Sequence, residues 1–214
     1  MIIVNFKNYK QSLGEAGVEL AKELEETAAD FSDVEVVLTV SPVEIFRISS
    51  AVDLPVYSQH VDPFEAEQTT GFVTCEAVKA AGAEGSLINH SEHPLSADMV
   101  EAAAERCKDQ DLKTVVCTDS PLMVMQLVTF ADVIAYEPPE LIGGDVSVTS
   151  SEPEIIKEVA SAAGNVPLLA GAGVCSEEDV STALELDAGG VLVSSAIVTS
   201  NEPGEALEEL LKGF

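Results

Sequence analysis

The chain has 214 residues, with 38 acidic against 10 basic side chains, a formal net charge of −28 and 46% hydrophobic residues. That content excludes a disordered acidic tail and predicts one sizeable core, a single domain over residues 1–214. The charge repels phosphate backbones and so argues against nucleic acid, and no apolar run approaches the ~18 residues of a membrane span. The apolar pattern starts at Ile2 without a basic-then-apolar leader, and Cys75, Cys107, Cys117 and Cys175 lack paired spacing. A cytoplasmic protein with reduced core cysteines is the expectation.

Eight short runs rich in Val, Ile and Leu follow one another along the chain: Ile2–Phe6, Val34–Val40, Pro55–Gln59, Ser86–His90, Thr114–Thr118, Asp132–Glu137, Val166–Ala170 and Gly190–Ser194. Each is almost continuously apolar, which predicts parallel strands buried on both faces. Helical periods separate them. In the first, Leu13, Ala16, Leu20, Leu24 and Ala28 share a stripe opposite Glu15, Glu19, Glu23 and Glu26. Ser12…Glu15, Ser41-Pro42…Glu44, Ser151…Glu154 and Ser176…Asp179 have capping-box spacing and predict helix starts. Eight strand–helix units at about 27 residues each predict an α/β fold closing as a compact (β/α)8 barrel with trimmed helices. An open doubly wound sheet is the competitor, but the first turn, Asn8-Tyr9-Lys10, has no Gly-rich fingerprint.

The acids recur on every helix face, from Glu15 to Glu209, and form no single block. Such a surface repels itself unless salt screens it; the Debye length is about 3 Å at 1 M against ~8 Å at physiological strength. A halophilic setting with molar internal salt is therefore expected.

In a barrel, chemistry gathers at the carboxyl ends of the strands. There the chain places Asn5-Phe6-Lys7, Gln59-His60, Asn89-His90-Ser91-Glu92, Cys117, Tyr136-Glu137-Pro138-Pro139, Gly171-Ala172-Gly173 and Ser194-Ser195. One base candidate (Glu137), one imidazole (His90) and one ammonium (Lys7) stand among them. Gly171 and Gly173 let amides approach an anion, and Ser194-Ser195 leave the next helix's amides open, a pattern suited to phosphate. Taken singly, each has a plainer reading: a tight turn, a helix cap, a solvated acid, a packed histidine. No metal-ligand cluster or nucleotide fingerprint stands out, so no cofactor is expected.

Asn5-Phe6-Lys7, Asn89-His90-Ser91-Glu92 and Ala135-Tyr136-Glu137-Pro138, in this order, resemble the signatures of the triosephosphate isomerases, the enzymes after which the TIM barrel is named, and the likeness runs over the whole chain. Its length and the Gln59-His60-Val61-Asp62-Pro63 segment resemble the archaeal branch, whose members are often tetramers. The resemblance implies interconversion of dihydroxyacetone phosphate and glyceraldehyde 3-phosphate, in glycolysis and gluconeogenesis. It implies Glu137 as base, His90 as electrophile, Asn5 and Lys7 as oxyanion partners, and Glu92 as the residue holding Lys7. It further implies a lid over residues 138–145, with substrate held by Asn5, Lys7, Ile142, Gly143, Gly171, Gly173, Ser194 and Ser195. A homotetramer is implied, a dimer being the alternative. The chain departs from the common pattern at His93-Pro94, in a lid without Trp, and in Ser-Ser after the last strand. Another phosphate-binding barrel enzyme, or a sugar-phosphate binder without catalysis, remains a competing reading at this point.

Overall fold

The computed structural model describes residues 1–141 and 147–214. Eight parallel strands close into a barrel in sequence order: β1 (Ile2–Asn5), β2 (Val36–Val40), β3 (Val56–Ser58), β4 (Gly85–Ile88), β5 (Lys113–Thr118), β6 (Val133–Tyr136), β7 (Leu168–Gly171) and β8 (Gly190–Val193). The barrel closes where Ile2, Ile3 and Val4 pair with Val191, Leu192 and Val193. All eight predicted apolar runs are strands of this barrel, and each is trimmed at one or both ends except the fifth, which begins at Lys113.

Two apolar layers hold it together. Inside, Ile3, Val37, Tyr57, Leu87, Val115, Leu169 and Leu192 fill the cylinder, so the barrel is a packed core and not a pore. Alternate strand residues such as Ile2, Val4, Leu38, Ile134 and Val191 face outward against the helices. Space is rationed closely: a Cβ on Gly85 would lie 2.7 Å from the ring of Tyr57, its partner in register on β3. Only glycine admits that ring.

The helices are α1 (Gly14–Ala28), α2 (Ile45–Ser49), α3 (Cys75–Ala80), α4 (Ala97–Asp109), α5 (Pro121–Leu127), α6 (Val148–Ser151), α7 (Pro153–Ala163), α8 (Glu177–Glu185), α9 (Ser195–Val198) and α10 (Pro203–Leu211). The expected trimming falls on α2 and α3, of 5 and 6 residues. In α1 the buried face is Gly17, Val18, Leu20, Ala21, Leu24 and Ala28, while Leu13 and Ala16 are exposed. The helix therefore sits rotated from the predicted stripe, because Gly17 packs directly on the Ser12 carbonyl.

Of the four expected capping boxes only Ser176…Asp179 forms, both reciprocal bonds being present. Ser12 instead turns back onto the carbonyls of Lys7 and Tyr9. Around Ser41-Pro42 the chain makes a turn, and α2 starts later, after Glu44. Ser151 ends α6, and α7 begins at Pro153. Cys75, Cys107 and Cys117 are buried as expected, but Cys175 is exposed on the loop after β7. Among the described residues, no helix is long and apolar enough to cross a membrane.

Candidate active site

Three of the strand ends carry non-glycine residues in the left-handed region: Lys7 (φ 45°) after β1, Asn89 (φ 64°) after β4 and Ala172 (φ 78°) after β7. Such backbone costs on the order of 1–3 kcal/mol each and persists only where surrounding bonds over-determine it. Those bonds are present. The Lys7 amide donates to Asn5 Oδ1 at 3.0 Å, and its carbonyl accepts from Gln59 Nε2 and Ser12 Oγ. Asn89 donates Nδ2 to the Cys117 carbonyl at 2.9 Å and accepts the Leu95 amide at 2.8 Å. The Ala172 carbonyl accepts from the Val148 amide.

This bracing aims three functional groups at one place. Lys7 Nζ pairs with Glu92 Oε1 at 3.0 Å, the lysine largely buried and the glutamate open to solvent. His90 accepts the Glu92 amide on Nδ1 at 3.1 Å. With Nδ1 occupied as an acceptor, that hydrogen bond assigns the ring proton to Nε2. Nε2 stands 3.5 Å from Glu137 Oε2, yet both atoms are buried without a hydrogen-bond partner. A buried donor and a buried acceptor left open side by side are costly to the fold. They describe a place for a ligand that accepts from one and meets the other.

Burial raises the Glu137 carboxyl above its ordinary value; His90, the Lys7 charge and the Cys117 thiol pull against that rise, while Glu92 adds to it. A carboxylate so placed is a stronger base than one in water. Cys117 itself is pushed well up by burial and by Glu137, and so stays a thiol donor.

One cavity opens at the carboxylate and another at the imidazole. The first, of about 510 Å3, is lined by Asn5, Lys7, Glu137, Ala172, Gly173, Ser194 and Ser195 among others. The second, of about 530 Å3, reaches Asn5 and Lys7 from the side of His90, Glu92, His60 and His93. Asn5 and Lys7 belong to both, so the two spaces meet over the ammonium. In the first, Ser194 Oγ is buried and unpartnered.

Of the expected site residues, the structure places Asn5, Lys7, Glu137, Gly173, Ser194 and Ser195 around the first cavity and His90, with Asn5 and Lys7, around the second. Gly171 is placed differently: it ends β7, and a Cβ there would lie 2.6 Å from Glu137 Cγ. Its lack of a side chain makes room for the carboxylate. Ile142 and Gly143, with residues 144 and 145 of the expected lid, lie outside the described residues. Gln59 and Asn89, which sequence reasoning did not single out for a role, hold the loops of Lys7 and His90. Both opened segments singled out by resemblance, but an amide at a strand end does not by itself reveal which loop it holds. His60 and His93 stack at 3.8 Å beside the second cavity. Among the described residues, no group of three or more His, Cys, Asp or Glu could hold a metal ion.

A family profile described as triosephosphate isomerase matches residues 1–212. The triosephosphate isomerase of Saccharolobus solfataricus is 41% identical, over 99% of this chain and 94% of the relative. That of Sulfurisphaera tokodaii is 39% identical over 99% and 93%. That of Methanosarcina barkeri is 38% identical over 99% and 97%. With its barrel, its strand-end residues and these matches over nearly its whole length, the chain belongs to the triosephosphate isomerase family.

Proposed function

We propose that this enzyme, an aldose–ketose isomerase, interconverts dihydroxyacetone phosphate and D-glyceraldehyde 3-phosphate by proton transfer through an enediolate. The observation that carries the mechanism is the unpartnered pair, Glu137 Oε2 and His90 Nε2, 3.5 Å apart and both buried. Glu137 takes the proton from the carbon beside the carbonyl and returns it to the adjacent carbon. The His90 Nε2–H hydrogen-bonds the carbonyl oxygen as negative charge develops on it. Asn5 and the Lys7 ammonium face the same oxygen, and their effect is greatest where water is excluded.

The phosphate belongs in the 510 Å3 cavity, where Gly173, Ser194 and Ser195 offer backbone amides and Ser194 a free hydroxyl. Lys7, shared by both cavities, neutralises part of the dianion. Glu92 keeps the ammonium in place, which matters in a chain whose overall field repels the substrate. The reading calls on no cofactor.

The setting we propose is a cytoplasm rich in salt, with the single barrel domain assembled as a homotetramer, in glycolysis and gluconeogenesis. Exposed apolar side chains support assembly, Phe64 and Phe72 with rings 4.2 Å apart among them. Val43 and Phe46, 82% and 70% exposed, lie after β2, and Leu122 and Met125, 66% and 68% exposed, lie on α5. Several such patches fit more than one interface.

Glyceraldehyde 3-phosphate isomerisation in molar KCl tests the reading. Glu137→Asp, which draws the carboxylate back by about 1 Å, is expected to lower kcat about 100-fold with the fold retained. His90→Gln is expected to lower kcat at least about 100-fold. Full turnover in either variant overturns the assignment.

A further inference from the structure

A pair of reactive side chains that the isomerisation does not use lies on the outer side of the barrel. Cys75 is the first residue of α3 and Cys107 lies in the last turn of α4. Their Sγ atoms are 3.6 Å apart and both residues are fully buried. We propose that Cys75 and Cys107 form a thiol oxidation site that a peroxide converts into a disulfide joining α3 to α4.

The surroundings distinguish the two sulfurs. Cys75 opens α3 directly behind Thr74, whose hydroxyl accepts the Ala77 amide. Arg106, next to Cys107, brings a guanidinium to the pair and is clamped by Glu76, Asp109 and Glu65. The sulfur–sulfur contact, in which either thiol can donate, holds the Cys75 thiol below its usual range, with burial and the Glu76 carboxylate opposing and Arg106 assisting. The same contact, with burial, pushes the Cys107 thiol far up. Cys75 opens the short α3 beside the exposed residues 64–72 while Cys107 sits inside the last turn of α4, so Cys75 is the attacking sulfur and Cys107 the resolving one.

The chemistry closes with hydrogen peroxide as the oxidant. The Cys75 thiolate attacks one peroxide oxygen, the O–O bond breaks, and the departing hydroxide takes a proton to become water. Cys75 is now a sulfenic acid. Cys107 sulfur attacks Cys75 sulfur, the S–O bond breaks, and the hydroxide leaves as water with the Cys107 proton. Two thiols are oxidised by two electrons and one peroxide is reduced to two waters.

Access follows from the local architecture. α3 has only 6 residues, and the chain before it is exposed from Phe64 to Phe72. Opening of that first turn admits a molecule as small as peroxide. The ring closed by the bond runs from Cys75 to Cys107 and contains β4 and the His90 loop. It restricts the unfolded chain while leaving the catalytic side chains where they stand.

The test uses the folded protein in molar KCl, treated with a small molar excess of hydrogen peroxide, alkylated and digested without reduction. The expected product is a linked Cys75–Cys107 peptide. Tm is expected to rise by roughly 5–10 °C, reversed by dithiothreitol, with isomerase activity unchanged. In Cys107→Ser, Cys75 is expected to stop at a sulfenic acid that dimedone traps; in Cys75→Ser, Cys107 stays unlabelled. Recovery of both cysteines as free thiols after peroxide overturns the proposal. So does dimedone labelling of Cys107 in Cys75→Ser as fast as that of Cys75 in Cys107→Ser. The readout is the state of the thiols, so it stands or falls apart from the isomerase mechanism.

Discussion

Glu137 must be ionised to act as a base, and the groups around it set where that occurs. Because burial raises its carboxyl, the acid limb of kcat/KM is expected above the ordinary glutamate value of 4.5, with activity lost as pH falls through the raised value. The Cys117 thiol opposes that rise by donating to the carboxylate. Cys117→Ala removes the donor, so the limb is expected to move to higher pH while kcat on the plateau changes little. A pH–rate profile of both proteins checks it. Gly171 acts on the same carboxylate through space: Gly171→Ala puts a methyl where Glu137 Cγ lies. A carboxylate displaced by about 1 Å is expected to cost about 100-fold in kcat, with little change in Tm, measured by steady-state kinetics and calorimetry. Asn5, Lys7, His90 and Glu137 were legible as candidates because polar residues at strand ends stand out against apolar runs. The role of Gly171 was not, since the space it leaves is defined by a side chain 34 positions earlier.

At the scale of elements, the loop after β7 and the start of α6 are tied by one carboxylate. Asp179 Oδ2 accepts from the amides of Cys175 and Ser176 and from Ser176 Oγ, and Oδ1 accepts Thr149 Oγ1 at 3.0 Å. Burial works to raise the Asp179 carboxyl, but these bonds and one from Ser147 outweigh it and hold the group below its ordinary value. The lowered value means its contribution is present above 3.8 and is lost as pH falls through the folded-state value. Asp179→Ala is expected to destabilise by about 1 kcal/mol near neutrality, the difference from wild type shrinking below pH 3.8 in denaturant titrations. The strands and the Ser176 cap were readable because each depends on neighbours in sequence. The other three caps were misplaced: serine–glutamate spacing is common in a chain this rich in acids, and Ser12 found carbonyls closer at hand.

For the whole molecule, charge is the governing quantity. A net charge of −28 with only 10 basic residues leaves most carboxylates facing solvent, each repelled by the others. Screening relieves that repulsion, so Tm is expected to rise with KCl from low to molar concentration, and thermal melts across that range check it. An unchanged or falling Tm overturns the halophilic reading. Sequence by itself determined the repeat of eight buried strands, the acidic exterior and the polar residues at strand ends, because apolar periodicity and charge are local properties of the chain. Only the tertiary structure decided the rotation of α1, the hydrogen bond that leaves the His90 proton on Nε2, the room Gly171 makes for Glu137 and the contact of Cys75 with Cys107. Those are contacts across strands and helices, fixed by barrel closure and packing and not by any run of neighbouring residues.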